Sequence, residues 1–112
     1  MDIINQYLSN EKFVKIAAPM VRYSKLPFRI LVRDLGTDLA YTPMIMANSF
    51  SQSESARKVD FTTSSDDNPL IVQLGTNNLE QAVISSQLLY DHCSGIDINS
   101  GCPQRWAIKE GI

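Results

Sequence analysis

Four short apolar runs recur along the chain, beginning near positions 14, 39, 70 and 95, and each stops at residues that extend neither strand nor helix. Phe13–Ala18 is predicted as a short buried strand stopped by Pro19, and Leu39–Thr42 as a second stopped by Pro43. Leu70–Leu74 is a third, near-continuous apolar run of the kind buried on both faces of a parallel sheet, ended by Gly75. Ile96–Asn99 is the fourth, closing in Asn99-Ser100-Gly101-Cys102-Pro103.

The intervals carry helical signals. Ser24 is predicted as an N-cap with Pro27 in the first turn, and Phe28, Leu31, Val32 and Leu35 fall at i, i+3, i+4 and i+7. Lys25, Arg29 and Arg33 line another face and read as solvated, and Gly36 is a natural stop. Met44–Val59 is predicted helical with a weak period, and Asp60–Asn68 as a polar loop. Asn77 and Glu80 have the spacing of a capping arrangement, opening a helix through Leu79, Ala82, Val83, Ile84, Leu88 and Leu89 that closes near His92 and Gly95. Gln104–Glu110 begins a fourth helix, and residues 1–12 read as a surface lead-in.

Four βα units of about 25–30 residues imply a parallel α/β sheet, either doubly wound or part of a (β/α)8 barrel. No Gly-x-Gly-x-x-Gly or Walker-type loop follows any strand, which removes the phosphate fingerprints that favour the doubly wound alternative. A TIM barrel typically takes about 250 residues, so 112 residues correspond to its N-terminal half, incomplete. A net charge of −2 argues against a dedicated nucleic-acid module. Residues 1–15 hold no apolar signal-peptide core, and no apolar run approaches the roughly 20 residues of a membrane span. Cys93 and Cys102 form no Cys-x-x-Cys pair, and there is one histidine. That pattern disfavours a zinc site or disulfide scaffold and fits a reducing setting, the cytoplasm first and the nucleus as alternative.

In either architecture ligands sit at the C-terminal strand ends, which here carry Ala18-Pro19-Met20, Thr42-Pro43-Met44, Gln73-Leu74-Gly75 and Asn99-Ser100-Gly101-Cys102-Pro103. Gln73 and Asn99 offer amides that both donate and accept, as the pyrimidine edge of a flavin or a base demands. Pro19 and Met20 offer backbone groups and a soft apolar surface for a flat ring. Cys102 reads either as a small structural hydrophobe or as a presented thiol, and Gln73 as needing a structural partner or a ligand. Asn99 also suits a turn, Arg22 is a candidate phosphate contact, and His92 and Cys93 read as structural.

Ala18-Pro19-Met20, Tyr41-Thr42-x-Met44, Gln73-Leu74 and Asp97-x-Asn99-x-Gly101-Cys102-Pro103, with Leu26-Pro27-Phe28-Arg29 in the first helix, together resemble the tRNA-dihydrouridine synthase family. The resemblance runs from about residue 14 to residue 110, and Pro43 is similar to the eukaryotic branch that modifies adjacent D-loop uridines. It implies an FMN-dependent TIM-barrel oxidoreductase, with a separate helical tRNA-binding domain, that uses NADPH or NADH to reduce the C5–C6 bond of a uridine in tRNA. Carried over, Pro19 and Met20 line the flavin, Gln73 bonds its polar edge, Asn99 lies near flavin and substrate, and Cys102 is the proton donor. A cysteine thiol, with a reference pKa of about 8.5, is mostly protonated at pH 7 and can donate without activation. The family's later lysine and histidine, its FMN-phosphate loops and its helical domain have no counterpart in this sequence. Lys109-Glu110-Gly111-Ile112 departs from the glycine-rich turn of the family, as in a truncated product. The expectation is that these residues alone are inactive. The rival readings are another FMN-barrel oxidoreductase acting on a small molecule, and a non-enzymatic fragment that needs a partner chain.

Overall fold

The computed structural model describes residues 5, 6, 9 and 13–112. The lead-in expected over residues 1–12 falls almost wholly outside them. The elements are β1 (Ile16–Ala17), α1 (Leu26–Asp34), β2 (Leu39–Tyr41), β3 (Ile45–Met46), α2 (Ala47–Gln52), α3 (Glu54–Asp60), β4 (Leu70–Gly75), α4 (Leu79–Leu89), a 3-10 turn (Tyr90–His92), β5 (Gly95–Ile98) and α5 (Arg105–Glu110).

All strand pairings are parallel. β2 and β3 lie along the same side of β4, with Tyr41 opposite Ile71 and Ile45 opposite Leu74. Four residues on one side therefore span three on the other. The two pieces form one strand position interrupted by a one-residue bulge at Thr42-Pro43-Met44. β5 pairs the opposite side of β4, so the spatial order β1, β2/β3, β4, β5 follows the chain. A doubly wound sheet reverses its strand order at a switch point. No reversal occurs among these strands, and the parallel α/β arrangement is consistent with part of a (β/α)8 barrel.

The bulge corrects the single helix expected over Met44–Val59. Its first residues extend the second strand, and the remainder breaks at Ser53, which caps α3 by accepting Ala56 N–H at 3.2 Å. The run at Phe13–Ala18 shortens to Ile16–Ala17, and Phe13 is 95% exposed. Among the described residues β1 pairs only with β2, and Lys15 N–H, just upstream, donates to Asp38 Oδ2 at 2.8 Å. The capping arrangement shifts by one residue: Asn78 Oδ1 accepts Gln81 N–H at 3.0 Å, while Asn77 Nδ2 donates to Glu110 O at 2.8 Å.

The core gathers Ile45, Phe50, Leu70, Val72, Leu74 and Leu89, with Phe61, Cys93 and Ile96 packed against it. α2 and α4 approach closely over β4 because Ala47 and Ser85 meet there, and Ser85 Oγ donates to Ala47 O at 3.4 Å.

On α1 the expected apolar stripe is split, with Leu31 and Leu35 exposed, while Arg29, expected on the solvated face, is 1% exposed. The cause is Asp67, in what read as a polar loop. Its Oδ2 accepts Arg29 Nε and Nη2 at 2.9 and 2.7 Å, and its Oδ1 accepts Arg33 Nε and Nη2 at 3.2 and 3.0 Å. Buried charge requires such pairing, so a carboxylate held under α1 draws both guanidinium groups inward. Ser24 does not cap α1; the N-cap position is Lys25, without a side-chain bond.

Candidate active site at the strand ends

Side chains alternate across a strand, so β4 presents two different faces. Leu70, Val72 and Leu74 enter the core with the helices. Ile71, Gln73 and Gly75 therefore look to the opposite face, where an added Cβ at Gly75 would sit 2.8 Å from Met44 Sδ. Gln73 stands in register with Asp97 on β5, and Asn99 follows two residues later on the same face. One apolar sheet face thus acquires three polar side chains near its C-terminal end.

These three are joined. Gln73 Nε2 donates to Asp97 Oδ2 at 2.7 Å, Asn99 Nδ2 donates to Gln73 Oε1 at 3.3 Å, and Gly101 N–H donates to Asn99 Oδ1 at 2.8 Å. Asn99 N–H still bonds Leu74 O at 2.9 Å, the last rung of the ladder. The chain then leaves the sheet, and Cys102 follows as a free, half-buried thiol. Sequence reasoning selected Gln73, Asn99 and Cys102 but missed the Asp97 carboxylate bonded to Gln73. The signal was present, since Asp97 is polar at an alternate position of an apolar run.

The bulge serves the same strand end. Pro43 has no N–H for the ladder. Thr42 N–H donates to Ile71 O at 2.9 Å, and Thr42 Oγ1 accepts Gln73 N–H at 3.1 Å while donating to Pro43 O at 2.9 Å. A side-chain oxygen thus completes the backbone pairing of Gln73, and Thr42 is 1% exposed.

At the β1 end, Pro19 and Met20 are half-buried. Ser24 Oγ accepts Met20 N–H at 2.8 Å and donates to Met20 O at 2.9 Å, fixing that turn at both backbone groups. Met20 and the exposed Arg22 line a cavity of about 510 Å³ with Val21, Tyr23, Gln104 and Trp106. This brings the loop after β1 against the segment just beyond Cys102. No hydrogen bond among the described residues links that loop to the Gln73–Asn99 pair.

Cys93 lies apart from this end, its Sγ donating to Leu89 O at 3.3 Å, and burial pushes its thiol above its ordinary value. It reads as structural, and His92 meets Phe61 at 6.5 Å between ring centroids. Among the described residues no group of three or more His, Cys, Asp or Glu side chains is arranged to hold a metal ion. Among them also, no helix is long and apolar enough to cross a membrane.

A parallel sheet with two amides, a carboxylate and a thiol at adjoining strand ends defines an α/β protein whose candidate ligand site is the C-terminal rim of the sheet. The family model described as Dihydrouridine synthase (Dus) matches residues 16–112, and the chain belongs to that family. A human protein named tRNA-dihydrouridine(20a/20b) synthase-like is 50% identical over 110 residues, covering 98% of this chain and 34% of the relative. A tRNA-dihydrouridine(20a/20b) synthase of Schizosaccharomyces pombe is 54% identical over 99 residues, 88% of this chain and 30% of its own length. A tRNA-dihydrouridine(16/17) synthase of Saccharomyces cerevisiae is 43% identical over 98 residues, 85% and 23% respectively. All three names include NAD(P)+, and enzymes so named are oxidoreductases. The chain spans about a third of the length of the human relative.

Proposed function

We propose that this chain is the N-terminal half-barrel of a flavin-dependent tRNA-dihydrouridine synthase, carrying the proton donor and the amide edge of the flavin site. The observation that carries this reading is the bonded Gln73–Asn99 pair at the ends of β4 and β5, with the Cys102 thiol three residues beyond Asn99.

The donor set suits an isoalloxazine. After their mutual bonds, Gln73 and Asn99 each keep one amide hydrogen and one oxygen lone pair, which matches a ring edge of alternating carbonyl and N–H groups. Pro19 and Met20, the latter fixed by Ser24, offer an apolar surface against which a flat ring would lie. Gln73, Asn99, Pro19 and Met20 would hold FMN there, and the flavin, once reduced by NADPH or NADH, would supply hydride for the C5–C6 bond of the uracil. Cys102 Sγ–H protonates C5 as the C5–C6 π bond is lost, and the thiolate recovers its proton from water. Asn99 steers the uracil, and Arg22 meets a tRNA phosphate at the rim. The remaining half-barrel and a helical domain supply the FMN-phosphate loops and most of the tRNA grip. The compartment we infer is the cytoplasm, with the nucleus as alternative, and no metal takes part.

The test is Cys102→Ala in a complete barrel that carries these residues. Uridine reduction in tRNA is expected to fall about 10²–10⁴-fold, the usual contribution of a positioned acid, with flavin content unchanged. Undiminished reduction of tRNA, or turnover of a small enone or pyrimidine with no action on tRNA, overturns the reading.

A further inference from the structure

Asp97 has no part in the proton transfer, yet it is the acceptor at which the chain of three strand-end hydrogen bonds terminates. It is half-buried, opposite Gln73 in the β4–β5 register, and none of the ion pairs among the described residues involves it. Its partner is an amide rather than a cation, so charge neutralisation does not explain its presence.

A carboxylate only accepts hydrogen bonds, whereas a carboxamide both donates and accepts. Gln73 must therefore turn Nε2 toward Asp97, since the flipped amide would set oxygen against oxygen at 2.7 Å. That leaves Oε1 facing Asn99, which must answer with Nδ2. Asn99 Oδ1 then faces the turn and accepts Gly101 N–H, one residue before Cys102. Each amide has two orientations of similar shape, and the acceptor-only carboxylate at one end and the donor-only Gly101 N–H at the other select the same orientation for both.

We propose that Asp97 is a positioning residue that sets the donor–acceptor direction of the rim amides and, through Asn99 and Gly101, the placement of the Cys102 turn. With this direction, Gln73 and Asn99 each keep one N–H and one oxygen lone pair for the ligand. The class of ring recognised is then one that presents both carbonyl oxygens and N–H groups along its edge, a cyclic imide or ureide. Only the identity of that ring rests on the dihydrouridine reading.

The test compares Asp97→Asn with the double variant Asp97→Asn/Gln73→Glu, by amide hydrogen exchange and ¹H–¹⁵N spectra of the full chain without flavin or tRNA. Asp97→Asn keeps shape but can present either a donor or an acceptor, so the direction of both amides then rests on the Gly101 N–H alone and the reversed orientation becomes accessible. Gly101 N–H is expected to exchange about five- to tenfold faster, the range of one lost hydrogen bond, with Val72 N–H within about twofold. The side-chain amide signals of Gln73 and Asn99 are expected to shift or broaden. The double variant moves the acceptor-only group one step along the relay, where it accepts from both neighbouring amides. It is expected to return Gly101 exchange to within about twofold of the parent, a rescue that simple loss of packing does not predict. If Asp97→Asn fails to fold, the double variant must fold with Gly101 protected. Unchanged Gly101 exchange in Asp97→Asn, or no rescue, overturns the proposal. Because no cofactor is present, such a failure leaves the dihydrouridine reading intact, and failure of the Cys102 test leaves the relay intact.

Discussion

Replacing Asp67 with asparagine removes one charge from the most deeply buried electrostatic cluster among the described residues. Its two oxygens accept four bonds from Arg29 and Arg33, and Oδ2 also accepts Thr63 Oγ1 at 3.2 Å. The side chains of Arg29 and Asp67 are 2% and 0% exposed. Asparagine keeps the shape but turns an N–H₂ toward a guanidinium, leaving Arg29 with the carbonyls of Ser24 and Thr62, each at 2.7 Å. Breaking a buried pair by removing one partner costs about 3–5 kcal/mol. At roughly 0.05–0.15 kcal/mol per residue, a chain of 112 residues holds about 6–17 kcal/mol in all. The expected loss is thus a large fraction of total stability, or about 12–20 °C in Tm at about 4 °C per kcal/mol. Urea unfolding should show a lower midpoint with an unchanged slope. Lys58→Ala is the control, because its 2.8 Å pair with Glu54 lies at the surface with side chains 74% and 72% exposed, and it should shift stability by less than about 0.5 kcal/mol. If Asp67→Asn costs no more than that control, the cluster does not hold α1 to the approach of β4.

Thr42→Val keeps volume but removes the oxygen that accepts Gln73 N–H, leaving a buried donor unpaired; a loss of about 1–3 kcal/mol is expected by urea unfolding, with Thr42→Ser close to the parent. Cys93 is favoured as the neutral thiol in the fold, so its contribution is present below about pH 9 and lost as pH rises through the raised folded value. The parent should therefore lose stability more steeply than Cys93→Ala as pH rises above the ordinary thiol value, and equal slopes would count against burial as the cause. The 112 residues alone are expected to purify colourless and to leave uridine in tRNA unreduced, since on the proposed reading they would supply only one edge of a flavin site; stoichiometric flavin absorbance in the purified chain would refute this.

β4, α4 and β5 were legible in the sequence because each declares itself locally, through an uninterrupted apolar run or a wide apolar helical face. β3 was not. Pro43 is a strand breaker by rule, and the device that carries the strand past it is a threonine hydroxyl standing in for a carbonyl, which has no periodic signature. The arginines of α1 were misread for a different reason. Their counter-charge lies 34 and 38 residues away, in a stretch whose composition reads as an exposed loop, so nothing within the helix marks them as buried. Gln73, Asn99 and Cys102 were legible as polar or reactive residues at strand ends, but the order among them depends on the register that places Asp97 beside Gln73.

The two misread features converge on the rim. Arg29 Nη1 donates to Ser24 O at 2.7 Å, and Ser24 Oγ holds both backbone groups of Met20, so the carboxylate of Asp67 is linked through two residues to the loop proposed to line the flavin. On the other side, the Thr42 hydroxyl ties the bulge to the backbone of Gln73, whose side chain begins the relay toward Cys102. Neither connection touches the reacting atoms. Each fixes a strand end by a polar side chain buried in the frame, at 0% exposure for Ser24 and 1% for both Arg29 and Thr42. A site whose ring contacts come from loops needs its loops held by something stiffer than loop backbone, and hydrogen bonds closed within the frame supply that stiffness. On this reasoning Ser24→Ala should leave the sheet intact yet loosen the Met20 turn. The expected signature is faster amide exchange at Met20, with exchange at Val72 unchanged. Equal protection of Met20 in both proteins would show that the turn is held by its own backbone, through the Tyr23 and Ser24 N–H bonds to Met20 O at 3.1 and 3.0 Å, and that the hydroxyl is dispensable.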